Sequence, residues 1–308
     1  MSTYILKRLS EMLVALLLMS MVVFVLGRAT GDPVSLLLSD YASDEDRARV
    51  TAELGLDKPI ATQYVNFLGN VLSGNFGNSL IGDQRPAIDM LMERFPASLK
   101  LAGVALLISL SIGVPLGVVA AVYYGSVWDS LARLMALLGQ SIPAFWLGLV
   151  MMYVFSVQLG WFPTSGYGQW NHYILPALTL GLFTTAAVTR LIRASMAEAL
   201  SSEFIKLNRI KGLSEVQIVW KHALRNSLIP VLTFMGTFFA TMITGAVVVE
   251  TVFSWPGVGR LAFEAILNRD FPVIQAVVLS MTALFIVVNL LVDVTYAWVD
   301  PRIRLAKG

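Results

Sequence analysis

The sequence contains no cysteine. That excludes disulfides, a thiol nucleophile and any thiolate metal site. Histidine is almost as scarce: His172 and His222 are the only two, and neither has another ligating residue at a metal-binding spacing. No metal site is expected. No G-x-x-x-x-G-K-[ST] stretch occurs, so the chain has no phosphate loop of that kind and is not expected to hydrolyse ATP alone. H-E-x-x-H is absent, as is any Ser/His/Asp set with a nucleophile elbow, and the chain does not read as an enzyme. Charge is sparse too. Asp, Glu, Lys and Arg make up 14% of the 308 residues, where globular proteins carry about 25%. The net charge of +2 points to no acidic or nucleic-acid partner. What fills the chain is apolar: 56% hydrophobic, with mean hydropathy +0.72. This is the composition of a membrane protein.

A bilayer core of about 30 Å takes about 20 helical residues to cross. Runs of that kind lie at 9–27, 97–124, 131–159, 174–191, 228–252 and 273–298. The first follows Lys7 and Arg8. It is too long for a secretory signal and lacks a small-residue cleavage site, so it reads as a retained span. Gly113, Pro115 and Gly117 predict a kink in the second. The fold class expected is an all-α membrane protein of six spans with both termini in the cytoplasm. Its parts are a first span (1–27), a folded external cap (28–96) and a five-span core (97–308) with a cytoplasmic loop at 194–227. In the cap, Ser43 and Asp46 predict a helix start and Gly55 its stop, and Gly69, Gly74, Gly77 and Gly82 punctuate the remainder. Of the 22 Lys and Arg residues, this layout puts thirteen inside and nine outside, seven of the nine in or beside the long first loop. The short loops carry the orientation signal. Close helix approach is expected at Gly113 and Gly117, and again at Gly236, Ala240 and Gly245, within this chain or between subunits.

One long polar stretch interrupts the second half. In 198–227, Phe204, Leu207 and Ile210 alternate with Lys206, Arg209 and Lys211. Gly212 stands where a helix would end, since glycine enters the left-handed conformation freely. Ser214 and Gln217 have capping-box spacing. Val216, Val219, Trp220 and Ala223 then fall on one helical face. The expectation is helix, glycine turn, amphipathic helix: a docking element between spans.

Two acids sit in or near the apolar runs. Asp293 is either a functional intramembrane acid or an inner-interface residue ahead of Asp300-Pro301. Glu250 either faces a substrate path or anchors the loop that contains Trp255, Pro256 and Gly257. These acids support a second functional reading, an ion-coupled carrier acting without an ATPase. His172 is expected at the interface, and His222 packed within the cytoplasmic pair.

Motifs along the whole chain resemble one family. They include Gly31-Asp32-Pro33, Leu54-Gly55-Leu56-Asp57-Lys58-Pro59, Gly160-Trp161-Phe162-Pro163 and Ile174-Leu175-Pro176-Ala177-Leu178. More specific are Lys211-Gly212-Leu213-Ser214 with His222-Ala223-Leu224-Arg225-Asn226, and Val248-Val249-Glu250-Thr251-Val252-Phe253-Ser254-Trp255-Pro256-Gly257. The chain resembles the permease subunits of bacterial peptide-type ABC importers, the dipeptide, oligopeptide, glutathione and nickel group. The resemblance implies a multi-pass protein of the bacterial inner membrane. Its implied partners are a second permease, two ATP-binding subunits, an external substrate-binding protein and a peptide or small-solute substrate. ATP would be bound on the partner subunits, with no cofactor on this chain. Glu203, Lys206, Arg209, Lys211, Gly212, Leu213, Ser214 and Glu215 would couple to the ATPase. Asn208 and Ile210 depart from the small alanines usual in the family, which implies a docking surface tuned to a particular partner.

Overall fold

A computed structural model describes residues 2–29, 34, 38, 43–53 and 55–299; side chains at 2–7, 9, 229, 233 and 293–299 lie outside the description. The motif Gly31-Asp32-Pro33, Leu54, and Arg302, Arg304 and Lys307 fall outside it as well. All regular structure among the described residues is helical, apart from one isolated bridge between Asn78 and Pro86.

The first helix, α1, covers Ser2–Ala29. Two shorter helices come next, α2 (Asp44–Glu53) and α3 (Ile60–Leu72). The start of α2 is as expected: the Ser43 hydroxyl accepts from the Asp46 amide at 3.1 Å, and Gly55 lies just past the helix with φ +65°. Gly69 corrects the sequence reading, because it lies inside α3. Gly74, Gly77 and Gly82 do sit at positive φ in the turns beyond. Helix α3 packs on α1 through Tyr64 and Phe67 against Phe24, and the Arg28 guanidinium donates to Gln63 Oε1 at 2.9 and 2.6 Å.

Helix α4 (Ala87–Val122) begins ten residues before the expected span at 97, so it takes over the end of the segment read as external cap. Pro86 sets its start. At 1.5 Å per residue it is about 54 Å long, more than a bilayer core needs. It continues through Pro115. Gly113 and Gly117 are packing contacts, as their small size predicts. A Cβ on Gly117 would stand 2.6 Å from Ile192 Cβ, and one on Gly113 would stand 2.9 Å from the Thr185 carbonyl oxygen. Both lie against helix α7 (Asn171–Ser201). The close approach is thus within this chain. Ser109 reinforces it, its hydroxyl donating to the carbonyls of Ala105 at 2.8 Å and Gly181 at 2.9 Å.

The span expected at 131–159 is sharply bent. It is two helices meeting at 104°: α5 (Val127–Ser141), and α6 (Ala144–Met151) continuing as a π-helix over Met152–Gln158. Ile142 and Pro143 are extended and form the corner. The fifth expected span is α10 (Leu224–Gly245) with short α11 (Val247–Val252) after it. Helix α12 (Val258–Leu267) and α13 (Phe271–Val299) complete the order; the helices between α7 and α10 form the polar stretch. Among the described residues, four helices are long and apolar enough to cross a membrane, or up to six if each bent pair is one span.

Two buried clusters hold the bundle. One joins α4, α12 and α13 around Leu101, Ala105, Trp255, Val273 and Ala276. The other joins α4 and α7 to the polar stretch through Val188, Ile192, Met196, Ile205, Ile218 and Val231. Polar contacts secure the loops. The Leu80 amide and the Ser79 hydroxyl both donate to the buried Asp270 carboxylate.

The α4–α7 contact leaves no room for a side chain. Gly117→Val is expected to lower the thermal midpoint of the purified protein, an overpacking cost of about 1–3 kcal/mol. Gly103→Ala meets nothing within 4 Å and is expected not to lower it. Thermal unfolding of both variants in detergent checks the difference.

Candidate functional site

Helix α7 runs on to Ser201, and Ser202, extended at ψ 153°, turns the chain into α8 (Glu203–Ile210). A hydrogen-bonded turn ends α8. The Gly212 amide donates to the Arg209 carbonyl at 3.0 Å, and the Leu213 amide reaches back to the Asn208 carbonyl at 3.2 Å. These are the two bonds of a Schellman motif, which needs a left-handed residue, and Gly212 supplies it at φ +79°. Ser214 then caps the next helix, α9 (Glu215–Gln217), accepting from the Gln217 amide at 3.4 Å. The Arg209 guanidinium spans the turn and grips Glu215 with two bonds of 2.8 and 3.2 Å. That pair raises the Arg209 pKa above its ordinary value. Lys206 pairs with Glu203 at 2.7 Å. Thus the structure brings Glu203, Lys206, Arg209, Lys211, Gly212, Leu213, Ser214 and Glu215 into one turn-and-helix unit. All are exposed except half-buried Leu213.

The expected apolar face is only partly right. Ile218–Ala223 is a π-helix, and the buried residues are Ile218, Val219, Ala223 and Leu224. Their spacing of five matches i→i+5 bonding, which rotates the face away from the α-helical expectation. Val216 and Trp220 turn outward with Phe204, Leu207 and Ile210. The result is an exposed apolar patch interleaved with Lys206, Arg209, Lys211 and Lys221. Exposed apolar patches with a polar surround mark interaction surfaces. The two departures from the family pattern now separate. Ile210 is 83% exposed and belongs to this surface, whereas Asn208 points inward, 6% exposed. His222 packs edge-on to Phe204 at 6.0 Å, as expected. On the other side, Ile205, Ile218 and Ala223 share one cluster with Ile192 and Met196 of α7. A cleft of about 470 Å³ opens beside it, lined in part by Ser195, Glu198, Ser202 and Asn226.

A second knot lies at the opposite end of the bundle. Glu250 is fully buried, and its carboxylate accepts from Ser98 Oγ at 2.5 Å and from the Arg260 amide at 3.0 Å. Ser98 Oγ in turn accepts from the Val258 amide at 2.8 Å. Trp255 is buried between Tyr167 and Tyr173, ring centroids 4.9 and 4.7 Å away, and its indole N–H donates to the Ala97 carbonyl at 3.0 Å. A Cβ on Gly257 would collide with the Glu250 carboxylate. Of the two readings of Glu250, the geometry matches loop anchoring: Glu250, Trp255 and Gly257 pack on one another, with Pro256 half-buried at the edge. His172 accepts from the Gln169 amide at 3.2 Å in the loop beside this knot. Asp293 lies on the last turns of α13, with its side chain outside the description. No cluster of three metal-ligating side chains occurs among the described residues.

Sequence reasoning missed three polar partnerships: Ser98 with Glu250, Ser79 with Asp270, and Asp129 with Arg193. In the last, Arg193 meets the buried Asp129 carboxylate at 2.5 and 3.0 Å and lies over the Tyr124 ring.

A unit that is rigid inside and apolar-cationic outside, joined to a helical bundle, suits mechanical coupling rather than bond chemistry. The comparisons agree. Residues 1–102 match the model described as "Binding-prot-dependent transport system membrane comp, N-term", and residues 113–305 match "Binding-protein-dependent transport system inner membrane component". The chain belongs to this family. It is 41% identical over 305 residues to the glutathione transport system permease proteins GsiC of Salmonella typhimurium (strain LT2) and Escherichia coli (strain K12), covering 99% of each chain. A solved structure titled "Inward facing conformations of the MetNI methionine ABC transporter" shares the fold: TM-score 0.58 at 19% identity, over 68% of this chain and 96% of that one. The protein is a permease subunit of an ABC importer, a multi-pass component of the inner membrane. ATP hydrolysis lies on separate subunits, and a substrate-binding protein completes such systems.

Removing the Glu250 carboxylate strands the Ser98 hydroxyl and the Arg260 amide in a buried site, at about 1–3 kcal/mol. Glu250→Ala is expected to lower the thermal midpoint and expose the 253–257 loop to protease, and Glu250→Gln to do so less. Limited proteolysis with a melting curve measures both.

Proposed function

We propose that this permease has six spans with both termini in the cytoplasm, a folded external cap after the first span, and a cytoplasmic coupling element at 194–227. Helix α8, the Gly212 turn and the helix after it insert into a groove on an ATP-binding subunit. Phe204, Leu207, Ile210, Val216 and Trp220 supply apolar contact, and Lys206, Arg209 and Lys211 set the register. ATP stays on the partner subunits, and this chain carries no cofactor. A second, similar permease supplies the other wall of the pathway. Closure of two ATPases on ATP draws the two coupling elements together and opens the pathway outward to a binding protein; hydrolysis resets it. The cargo is a small peptide of the glutathione or dipeptide class. Full-length similarity to permeases named for glutathione transport supports that choice.

The observation that carries the reading is the exposed apolar patch held rigidly on a Schellman turn and backed by the α7 cluster. Proline cannot adopt positive φ, so Gly212→Pro breaks the turn at +79°. Uptake by the assembled system and co-purification of the ATP-binding subunit are expected to fall together, while membrane insertion is unchanged. Full uptake by this variant would overturn the coupling role.

The absence of native cysteine makes the topology directly readable. A single cysteine at Lys211 is expected to resist a membrane-impermeant maleimide in intact cells and to label after permeabilisation. One at Ser254 is expected to label from outside, once the turn is loosened by Glu250→Ala.

A further inference from the structure

Beyond the coupling role, one cavity is unassigned. A groove of about 210 Å³ runs between α5 and α7. Its apolar lining comes from Ala132, Ala136 and Leu137, and its polar lining from Arg133, Gln140, Thr189, Arg190 and Arg193. The charges do not cancel. Arg193 is closed by the two bonds from Asp129. Arg133 only approaches the same carboxylate, at 3.7 Å. Arg190 donates to the neutral Gln140 Oε1 at 3.0 Å, and no carboxylate among the described residues pairs with it. Three guanidinium groups face one carboxylate, leaving two positive charges at the mouth.

The depth of the groove matters equally. Arg190 and Arg193 lie 19 and 22 residues after Asn171, at the start of α7. That is about 28–33 Å along the helix, one hydrocarbon thickness. The arginines thus stand at the polar boundary opposite the outer end of α7. The flank of α5 beside them is apolar and exposed, with Trp128, Leu131, Leu134, Leu137 and Leu138. An amphipathic tryptophan next to a leucine face is what a bilayer boundary favours. A guanidinium binds phosphate oxygens with two parallel bonds, and basic grooves between spans on the cytoplasmic side suit anionic headgroups.

We propose that this groove holds the phosphodiester headgroup of an anionic phospholipid of the inner leaflet. Arg133 and Arg190 are the anion ligands. Arg193, fixed by Asp129 and Tyr124, lines the site, and an acyl chain lies along the leucine face of α5. A bound lipid would brace α5 against α7, next to the 104° corner. The assignment to the inner leaflet rests on the proposed topology, with the coupling element in the cytoplasm. The cysteine labelling at Lys211 tests that topology separately, so a failure of either reading is distinguishable.

The experiment uses the assembled transporter in detergent, exchanged into defined phosphatidylglycerol or phosphatidylcholine, with native mass spectrometry of the lipid retained. The wild type is expected to retain phosphatidylglycerol preferentially, by about 30-fold for two arginines. Arg133→Gln with Arg190→Gln is expected to abolish the preference. The charge-preserving pair Arg133→Lys with Arg190→Lys should keep most of it, which separates lost charge from lost fold. Excess inorganic phosphate should leave the lipid in place. An unchanged preference in the glutamine variant would overturn the proposal. So would displacement by phosphate, which makes it a free-anion site. A cysteine at Leu137 that cross-links to the second permease would also overturn it, as a protein would then cover the groove.

Discussion

The bundle and the 203–223 unit share one buried apolar cluster, and the attachment of that unit to the bundle depends on it. Helix α7 leaves the bundle carrying Ile192 and Met196. Helix α8 folds back to place Ile205 on them, and the π turn brings Ile218 and Ala223 to the same spot. None of these side chains is exposed. Interiors packed in this way transmit displacement instead of absorbing it. The same Ile192 is pressed against Gly117 of α4, and Val188 and the Thr185 carbonyl against Gly113. Small residues are what allow two membrane helices to approach so closely. Helices α4, α7 and α8 and the π turn hence form a continuous packed body that reaches the exposed apolar patch.

Polar groups inside this body are few, and most are hydrogen-bonded; the buried Asn208 side-chain nitrogen is an exception. A bilayer offers buried polar atoms no water, so they must find partners in the protein. Ser109, Thr179, Thr185 and Thr189 return their hydroxyls to carbonyls within the spans. Glu250, Asp270 and Asp129 each take more than one donor. Each of the three ties together elements that are distant in sequence. They act as staples between helices, and their burial accounts for the scarcity of charge elsewhere in the spans.

What could be read from the sequence was whatever depends on near neighbours along the chain. The long apolar runs marked the spans because length and composition alone decide them. The Gly212 turn and both serine caps were legible because their chemistry closes within four or five residues. Boundaries were less so: α4 starts at Ala87 because Pro86 fixes the start locally, while the apolar run begins only at Ala97. The corner at Ile142-Pro143 was beyond reach, since a proline inside an apolar run is compatible with a stop, a kink or a sharp turn. The π turn has no residue signature, so Val216, Val219, Trp220 and Ala223 read as one face, whereas Val219 and Ala223 are buried and Val216 and Trp220 exposed. The three staples were illegible for a plainer reason. Their partners lie 152, 191 and 64 residues apart, and one sequence carries no record of which distant polar residues meet.

The two ends of the bundle are held by different forces, and this bears on where it can bend. At the Glu250 knot, directional hydrogen bonds join α4, α11 and α12, with Gly257 and Gly259 pressed on the carboxylate. Such bonds weaken steeply once their angles change, so that end resists gradual deformation. At the end that carries α8 the contacts between elements are mainly apolar, and packed apolar faces slide by small shears. Two polar contacts tie α5 to α7: Asp129 near its start accepts from Arg193, and Gln140, just before the α5–α6 corner, accepts from Arg190. A displacement of α8 would therefore reach α7 and α4 together, because the same buried side chains touch all three.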